Sequence, residues 1–223
     1  AITLGREASA ACLAWDGTFF SFDGVRFMPR TFYFITHPNV VVSQEVPVPQ
    51  WPLSDLGRSR MKVGLCQPWI SGVTSIYCST EQKAIDGAEI LANHLSIGYT
   101  KVHTLGENDR SATGFLPPQE FEAVADVFFA KPFESVRGWE KAADAQARIV
   151  GSVLSVSVTD QSKGDIAIVA HGAVGTLLYC HLSGLPIARR WDQPPNNGGN
   201  YYSFSLNPNR VFSWWHAIDD AVL

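Results

Sequence analysis

The sequence has few charged residues and few sulfur-containing ones. Only 17% of its 223 residues are charged, and the net charge is −4. This leaves no basic stripe for nucleic acid, so any anion would have to bind locally, in one pocket. The four cysteines (Cys12, Cys66, Cys78 and Cys180) are scattered without a CxxC pair. That spacing argues against a disulfide framework and suggests no metal site, so we expect free thiols, a reducing compartment and a cytoplasmic protein.

Long hydrophobic runs are also missing. The longest apolar stretches are far too short to span a bilayer, and acidic residues (Glu7, Asp16 and Asp23) interrupt the first thirty residues where a signal peptide would be apolar. We therefore expect neither a membrane nor a nucleic-acid partner. The hydrophobic content of 46% is nevertheless enough for one domain with a sizeable core.

Strand-like and helix-like segments alternate along the chain. Apolar runs predict strands at 32–36, 75–79, 100–105 and 165–170, and helical spacing predicts helices at 52–63, 81–95, about 138–158 and 173–182. Ser54 or Asp55 would begin the first helix, and Ser79 or Thr80 would cap the second. A late hairpin is expected from 201–206 and 210–215. This order predicts an α/β fold, a three-layer α/β/α sandwich around a mostly parallel central sheet.

The start of the chain does not follow this pattern. We expect a single domain over residues 31–223 and an N-terminal appendage over residues 1–30, with Met28 close to a natural beginning. Neither a repeat nor an interdomain linker is visible, because too little chain follows the Pro/Asn/Gly-rich stretch at 193–200 to fold alone. The Gly-Gly-Asn within that stretch is interpreted as a turn.

Three predicted strands are followed by residues that can do chemistry. His37 follows the first strand, Glu107 the third and His171 the fourth. In open parallel sheets, ligands bind just beyond the carboxyl ends of the strands. Gly172 then opens a helix whose free N–H groups favour an anion. Two imidazoles, a carboxyl group and a helix N-terminus could thus meet in one phosphate-binding cleft.

At this point the residues carry a resemblance. Five segments, in order, resemble the motifs of the histidine phosphatase superfamily, the phosphoglycerate-mutase-like enzymes: FYFITHP, PLSDLGRSR, STEQKAIDGAEIL, LGENDRSATG and DIAIVAHGAVGTLLYCHLSG. The resemblance implies that His37 is a nucleophile and that Glu107 protonates the leaving oxygen. His171 would stabilise the equatorial oxygens of the transferring group. A neutral imidazole and local positive charge are also what phosphoryl transfer requires chemically.

The chain departs from the family pattern at its phosphate-binding residues. Thr36 stands where the family has arginine before the nucleophile, Lys83 replaces the arginine of the second helix, and Pro38 replaces a glycine. A hydroxyl and a point charge bind phosphate less well than two planar guanidinium groups. Arg110 and Arg58 are the residues we expect to restore positive charge.

Two classes of function remain open. The first is a metal-independent phosphatase that needs no cofactor, acts on a small phosphorylated substrate through a phosphohistidine, and is weak toward generic substrates. The alternative is a pseudophosphatase, an anion-binding module that has lost turnover with the arginines. A mutase is less favoured, because nothing visible would retain a bisphosphorylated intermediate. Substrate contacts are expected from residues 114–133 and the late loop, while the substrate itself and the oligomeric state stay open.

Overall fold

The computed structural model describes residues 30–221. The helices and strands, in chain order, are β1 (Phe32–Thr36), α1 (Asp55–Gly64), β2 (Val73–Cys78), α2 (Gln82–Leu95), β3 (Tyr99–Lys101), α3 (Pro118–Ala130), α4 (Ala142–Thr159), β4 (Asp165–Ala170), α5 (Gly172–Leu182), β5 (Asn200–Leu206), β6 (Asn209–Val211) and β7 (His216–Ala217). The predicted bounds of β1 and β4 are confirmed, and Ser54 caps α1 by accepting a hydrogen bond from the N–H of Gly57.

The strands form one sheet in the order β3-β2-β4-β1-β5-β6, and β7 also pairs with β5. Strands β1 to β4 are mutually parallel, whereas β5 runs antiparallel to β1. Parallel neighbours require crossover helices, and these cover both faces of the sheet. The predicted three-layer α/β/α sandwich is confirmed, and its sheet is mostly parallel.

The side chains of β1 and β4 alternate between two apolar cores. Phe34 and Ile168 pack on one face with side chains of α4 and α5. Ile35 and Val169 pack on the other face with side chains of α1 and α2. Each fully buried side chain of this size contributes about 1.5–3 kcal/mol. This burial on both faces explains why β1 and β4 read as continuous apolar runs in the sequence.

The third strand was predicted too long. It ends at Lys101, and His103–Leu105 form a short 3-10 helix instead. The chain leaves the sheet edge here because Leu105 is buried in the core under α4. This turn positions Glu107, which follows directly.

The predicted cap of α2 was also wrong. The helix begins at Gln82, and neither Ser79 nor Thr80 occupies the N-cap position, which belongs to Glu81. The Ser79 hydroxyl instead accepts the N–H of Glu81 at 3.2 Å and contacts His171. The hairpin forms as expected from β5 and β6, although β6 ends at Val211. Helix α3 was not predicted.

Residues 1–29 of the predicted appendage, which include Met28 and Cys12, lie outside the residues that the structure describes, so the proposed domain boundary stays a prediction. Arg30 is the first described residue, and its guanidinium pairs with the Asp160 carboxylate at 2.5 Å. Over residues 30–221, no helix is both long enough and apolar enough to cross a bilayer.

Candidate functional site

His37 and His171 lie side by side at the carboxyl ends of β1 and β4. The two strands are adjacent and in register, with Thr36 opposite Ala170. The His37 N–H continues the ladder by donating to the carbonyl of Ala170 at 3.1 Å. The two imidazole rings consequently meet edge to face, with their centroids 5.2 Å apart and their planes at 67°.

The His37 imidazole is held in one tautomer. Its Nδ1 lies 3.0 Å from the carbonyl oxygen of Pro38. Because a carbonyl can only accept, Nδ1 carries the proton and Nε2 keeps its lone pair. Burial, with a further contribution from the Lys83 cation, lowers the pKa of His37 to about 4. The ring is therefore neutral at pH 7, with a free nitrogen lone pair.

His171 is fully buried at the N-terminus of α5. Its Nε2 lies 2.7 Å from the hydroxyl of Ser79 and 3.3 Å from Oε1 of Glu81. Its Nδ1 is buried and has no hydrogen-bond partner among the residues described. Burial holds the pKa of His171 well below its usual range, while the Glu81 carboxylate opposes that shift. An anion bound at Nδ1 would satisfy this nitrogen and favour the charged ring.

Glu107 faces the same helix N-terminus. Its carboxyl oxygens accept the N–H groups of Ala173 at 3.2 Å and Val174 at 3.1 Å. Burial raises the pKa of Glu107, an effect that the nearby Arg110 cation reduces. Gly172 N–H has no acceptor within residues 30–221. Glu107 thus combines a raised pKa with a position beside a free backbone donor.

Glu81 is a site residue that sequence reasoning missed. Its carboxylate contacts Lys83 Nζ at 2.5 Å and His171 Nε2 at 3.3 Å, and it accepts the N–H of Glu107 at 3.0 Å. These partners hold the pKa of Glu81 well below its usual range against the effect of burial. The signal in the sequence was an acid two residues before the lysine that replaces an arginine, within the segment resembling a phosphate-binding motif.

The predicted phosphate-binding side chains lie in different surroundings. Lys83 is buried, and its ammonium group donates to Glu81 and to the carbonyl of Val48. The fully buried hydroxyl of Thr36 lies 2.7 Å from the side-chain amide of Gln193 and accepts the N–H of Asn200 at 3.0 Å. Both groups are thus already engaged by the protein.

The two arginines also differ. Arg58 pairs with the buried carboxylate of Asp86 at 2.7 Å, which commits its charge to that contact. Arg110 stacks over Phe121 and Trp139, with its guanidinium carbon 5.0 Å and 5.6 Å from the ring centroids. It also lies close enough to influence the pKa values of both site histidines. Of the two, Arg110 is the one that the structure brings to the site.

The Gly-Gly-Asn turn fixes the backbone of His37. The Gly199 N–H donates to the carbonyl of His37 at 3.1 Å. Gly198 has a φ of 75°, and a Cβ there would lie 2.2 Å from that same carbonyl oxygen. Only glycine combines this backbone conformation with so close an approach. The turn expected from the sequence is thus also a support for the site.

A cleft of about 1110 Å³ opens beside Glu81 and Glu107. Its lining comes from the loop around Val46 to Trp51 and from residues following Glu107, including Arg110, Phe115 and Phe121. Segment 114–133, from which substrate contacts were expected, contributes to this lining. No group of side chains suited to hold a metal ion is present in the part of the chain that the structure describes.

Several solved structures have a similar architecture, and the descriptions of some of them name a phosphatase. The glucosyl-3-phosphoglycerate phosphatase of mycobacteria, in complex with inorganic phosphate, matches with a TM-score of 0.70 and 18% identity, over 86% of this chain and 100% of that one. YhfR of Bacillus stearothermophilus matches with a TM-score of 0.65 and 20% identity, over 86% and 98% of the two chains. At these low identities, the structural similarity shows a shared fold and nothing more.

The family follows from the sequence match. The chain belongs to the histidine phosphatase superfamily (branch 1), whose family model matches residues 44–211. That match begins after His37, so the Thr-His-Pro departure lies outside it. None of the curated proteins compared with the chain matches it.

Proposed function

We propose that the protein is a metal-independent phosphatase that hydrolyses a small phosphomonoester through a phosphohistidine on His37. The observation that carries the proposal is the state of that ring, which is neutral, fixed by the Pro38 carbonyl and left with a lone pair on Nε2. Membership of the superfamily and the fold shared with phosphatases support the same reaction class.

In the first step, Nε2 of His37 attacks phosphorus and forms a P–N bond as the P–O bond to the leaving group breaks. Glu107, whose pKa burial raises, acts as the general acid and gives a proton to the leaving oxygen. In the second step, a water molecule attacks the phosphohistidine and passes a proton to the Glu107 carboxylate. The P–N bond breaks, releasing phosphate and restoring both groups.

Charge on the transferring oxygens would be met by His171 and by the free N–H of Gly172. The role of His171 is supported by its buried Nδ1, which has no hydrogen-bond partner in the described part of the chain. Lys83 contributes less positive charge to phosphate binding than expected from the sequence, since its ammonium group is already paired with Glu81. Thr36 stands where the family has an arginine before the nucleophile, and we therefore expect a weak phosphatase toward generic substrates.

The same ion pair favours the alternative, an anion-binding module without turnover. In that case Glu81 would keep Lys83 and His171 occupied, and phosphate would bind without transfer. The two functions differ in one observable, the covalent phosphoryl group on a histidine.

The deciding experiment is a panel of phosphomonoesters assayed with and without EDTA, followed by rapid quenching at alkaline pH. We expect turnover that EDTA does not abolish and an acid-labile phosphoryl group on His37. His37→Ala should remove both, whereas His94→Ala, an exposed histidine of α2, should leave both intact. A label on His171 would overturn the assignment of the nucleophile, and phosphate binding without any label would favour the alternative.

A further inference from the structure

We infer that the cleft beside Glu107 binds the leaving group of the substrate, and that this leaving group is an apolar, aromatic-sized body carrying an anionic group that Arg110 holds. The inference rests on the proposed function, because it names the substrate class of the same site.

The size and direction of the cleft point to the leaving group. Its volume of about 1110 Å³ is that of a pocket for a drug-sized molecule, far more than a phosphoryl group fills. Its lining includes Glu81 and Glu107 but neither His37 nor His171. The space therefore lies on the side of the proposed proton donor and is not lined by the proposed nucleophile. That is the direction in which the ester oxygen and its substituent must lie in an in-line displacement.

Arg110 is the uncommitted cation of this cleft. Its guanidinium carbon lies over the rings of Phe121 and Trp139, 5.0 Å and 5.6 Å from their centroids, and it has no carboxylate partner within residues 30–221. The other arginine of the lining, Arg148, makes a two-pronged ion pair with Glu140. A guanidinium stacked on aromatic rings is restrained at little further entropic cost, and its edge remains available for two parallel hydrogen bonds to a carboxylate or phosphate.

Most acids of the lining are already satisfied and do not cancel this charge. Glu140 pairs with Arg148, Glu122 pairs with Arg189, and Glu81 pairs with Lys83. Asp109 accepts the N–H of Ser111. An anionic substituent entering the cleft would thus find Arg110 as its available charged partner.

Much of the cleft surface is nevertheless apolar. Trp51 and Phe115 lie 5.7 Å apart between ring centroids, and Phe121, Val46, Val48 and Leu116 add further apolar surface. The Trp51 indole N–H donates to the carbonyls of Ser43 and Val46, both at 2.9 Å, which holds this loop against the cleft. Such walls favour an apolar body, with burial worth roughly 25 cal/mol per Å².

The test compares 4-carboxyphenyl phosphate with its methyl ester, which has the same ring without the charge. We expect Arg110→Met to lower the ratio of their kcat/KM values about tenfold or more, the size of a lost charge-assisted hydrogen bond. Comparing the ratio between enzymes cancels the intrinsic difference in leaving-group reactivity. Arg110→Lys should retain part of the preference. Arg210→Met is the matched control, since Arg210 also stacks on a phenyl ring, that of Phe212, outside the cleft lining.

The apolar wall has its own comparison. Phe115→Ala should raise KM for both aryl phosphates and leave KM for methyl phosphate nearly unchanged, whereas Phe133→Ala, at a side chain 77% exposed, should change none of them.

Two outcomes would overturn the inference while the proposed function stands. One is an unchanged ratio in Arg110→Met. The other is an equal loss with both aryl substrates, which would place Arg110 on the phosphoryl group. Absence of both turnover and phosphohistidine would instead refute the proposed function. In that case the inference can still be tested by calorimetric titration of His37→Ala with the two aryl phosphates, and equal affinities for the two would refute it.

Discussion

Glu81 places a negative charge near the position where a phosphate dianion is proposed to bind, and removal of this charge should tighten phosphate binding. The substitution Glu81→Gln keeps the size of the side chain and an oxygen that can accept from Lys83. It removes the charge that neutralises the lysine and repels an anion held by His171. Both changes increase the affinity for phosphate or vanadate, and we expect them to outweigh the loss of a carboxylate that favours the charged form of His171.

The magnitude follows from the contacts. Oε1 of Glu81 is 3.3 Å from Nε2 of His171. A phosphorus atom held at the opposite ring nitrogen would lie about 8 Å from the carboxylate. At that distance the repulsion between a carboxylate and a phosphate dianion is about 1 kcal/mol at the dielectric constant of water and about 4 kcal/mol at an effective constant of about 20. The smaller figure already corresponds to about a fivefold change in Kd.

The assay is calorimetric titration with inorganic phosphate at pH 8, where the dianion dominates, and it does not depend on turnover. We expect the Kd of Glu81→Gln to be at least about fivefold lower than that of the wild type. Glu45→Gln is the control, because Glu45 lines the same cleft and is exposed, with no ion pair in the described part of the chain. Thermal melting checks that the variant folds. An unchanged or higher Kd in Glu81→Gln would refute the electrostatic argument.

The remaining predictions concern charge, pH and backbone conformation. Lys83→Ala should depress kcat and also lower the melting temperature, because it leaves the Glu81 carboxylate buried without its ammonium partner. Lys83→Arg should retain more of the activity and of the stability. Unchanged kinetics in Lys83→Ala would show that the lysine does not act in the site. The pKa of His37 in the folded state, about 4, lies below its ordinary value of 6.5, so the folded state binds fewer protons than the unfolded state between pH 4 and 6.5. The contribution of His37 to the free energy of unfolding should therefore be fully present above pH 6.5 and decrease as the pH drops toward 4. Urea unfolding should show a smaller loss between pH 7 and 4.5 in His37→Gln, and an equal loss would contradict the assignment. Gly198→Ala should destabilise the protein by clearly more than Gly184→Ala. Both glycines have a positive φ (75° and 64°), and an alanine in that backbone conformation costs roughly 1–2 kcal/mol at either position. Only the alanine at position 198 would also add a Cβ clash with the His37 carbonyl. Equal midpoints for these two variants in urea would show that the clash is relieved.

The local pattern of apolar residues was sufficient to predict the two strands that are followed by His37 and His171. β1 and β4 are buried on both faces, so their apolar runs are uninterrupted, and each ends where His37 or His171 appears. Since parallel strands present their carboxyl ends at one edge, the sequence also predicted that these rings would meet. The α/β class followed from the same alternation of strands with amphipathic helices. These features depend on residues close together in the chain, which a single sequence displays.

The charge balance of the site depended on the tertiary structure. Glu81 is two residues from Lys83 and was assigned to a helix start, yet the turn after β2 brings its carboxylate to Lys83, His171 and the Glu107 N–H together. Likewise, the residues next to Arg110 in the sequence do not predict that it stacks on the rings of Phe121 and Trp139. Which cation stays free and which is neutralised is set by contacts between distant segments. An ionic group pairs with whatever the fold places within a few ångströms, and sequence spacing does not encode that distance.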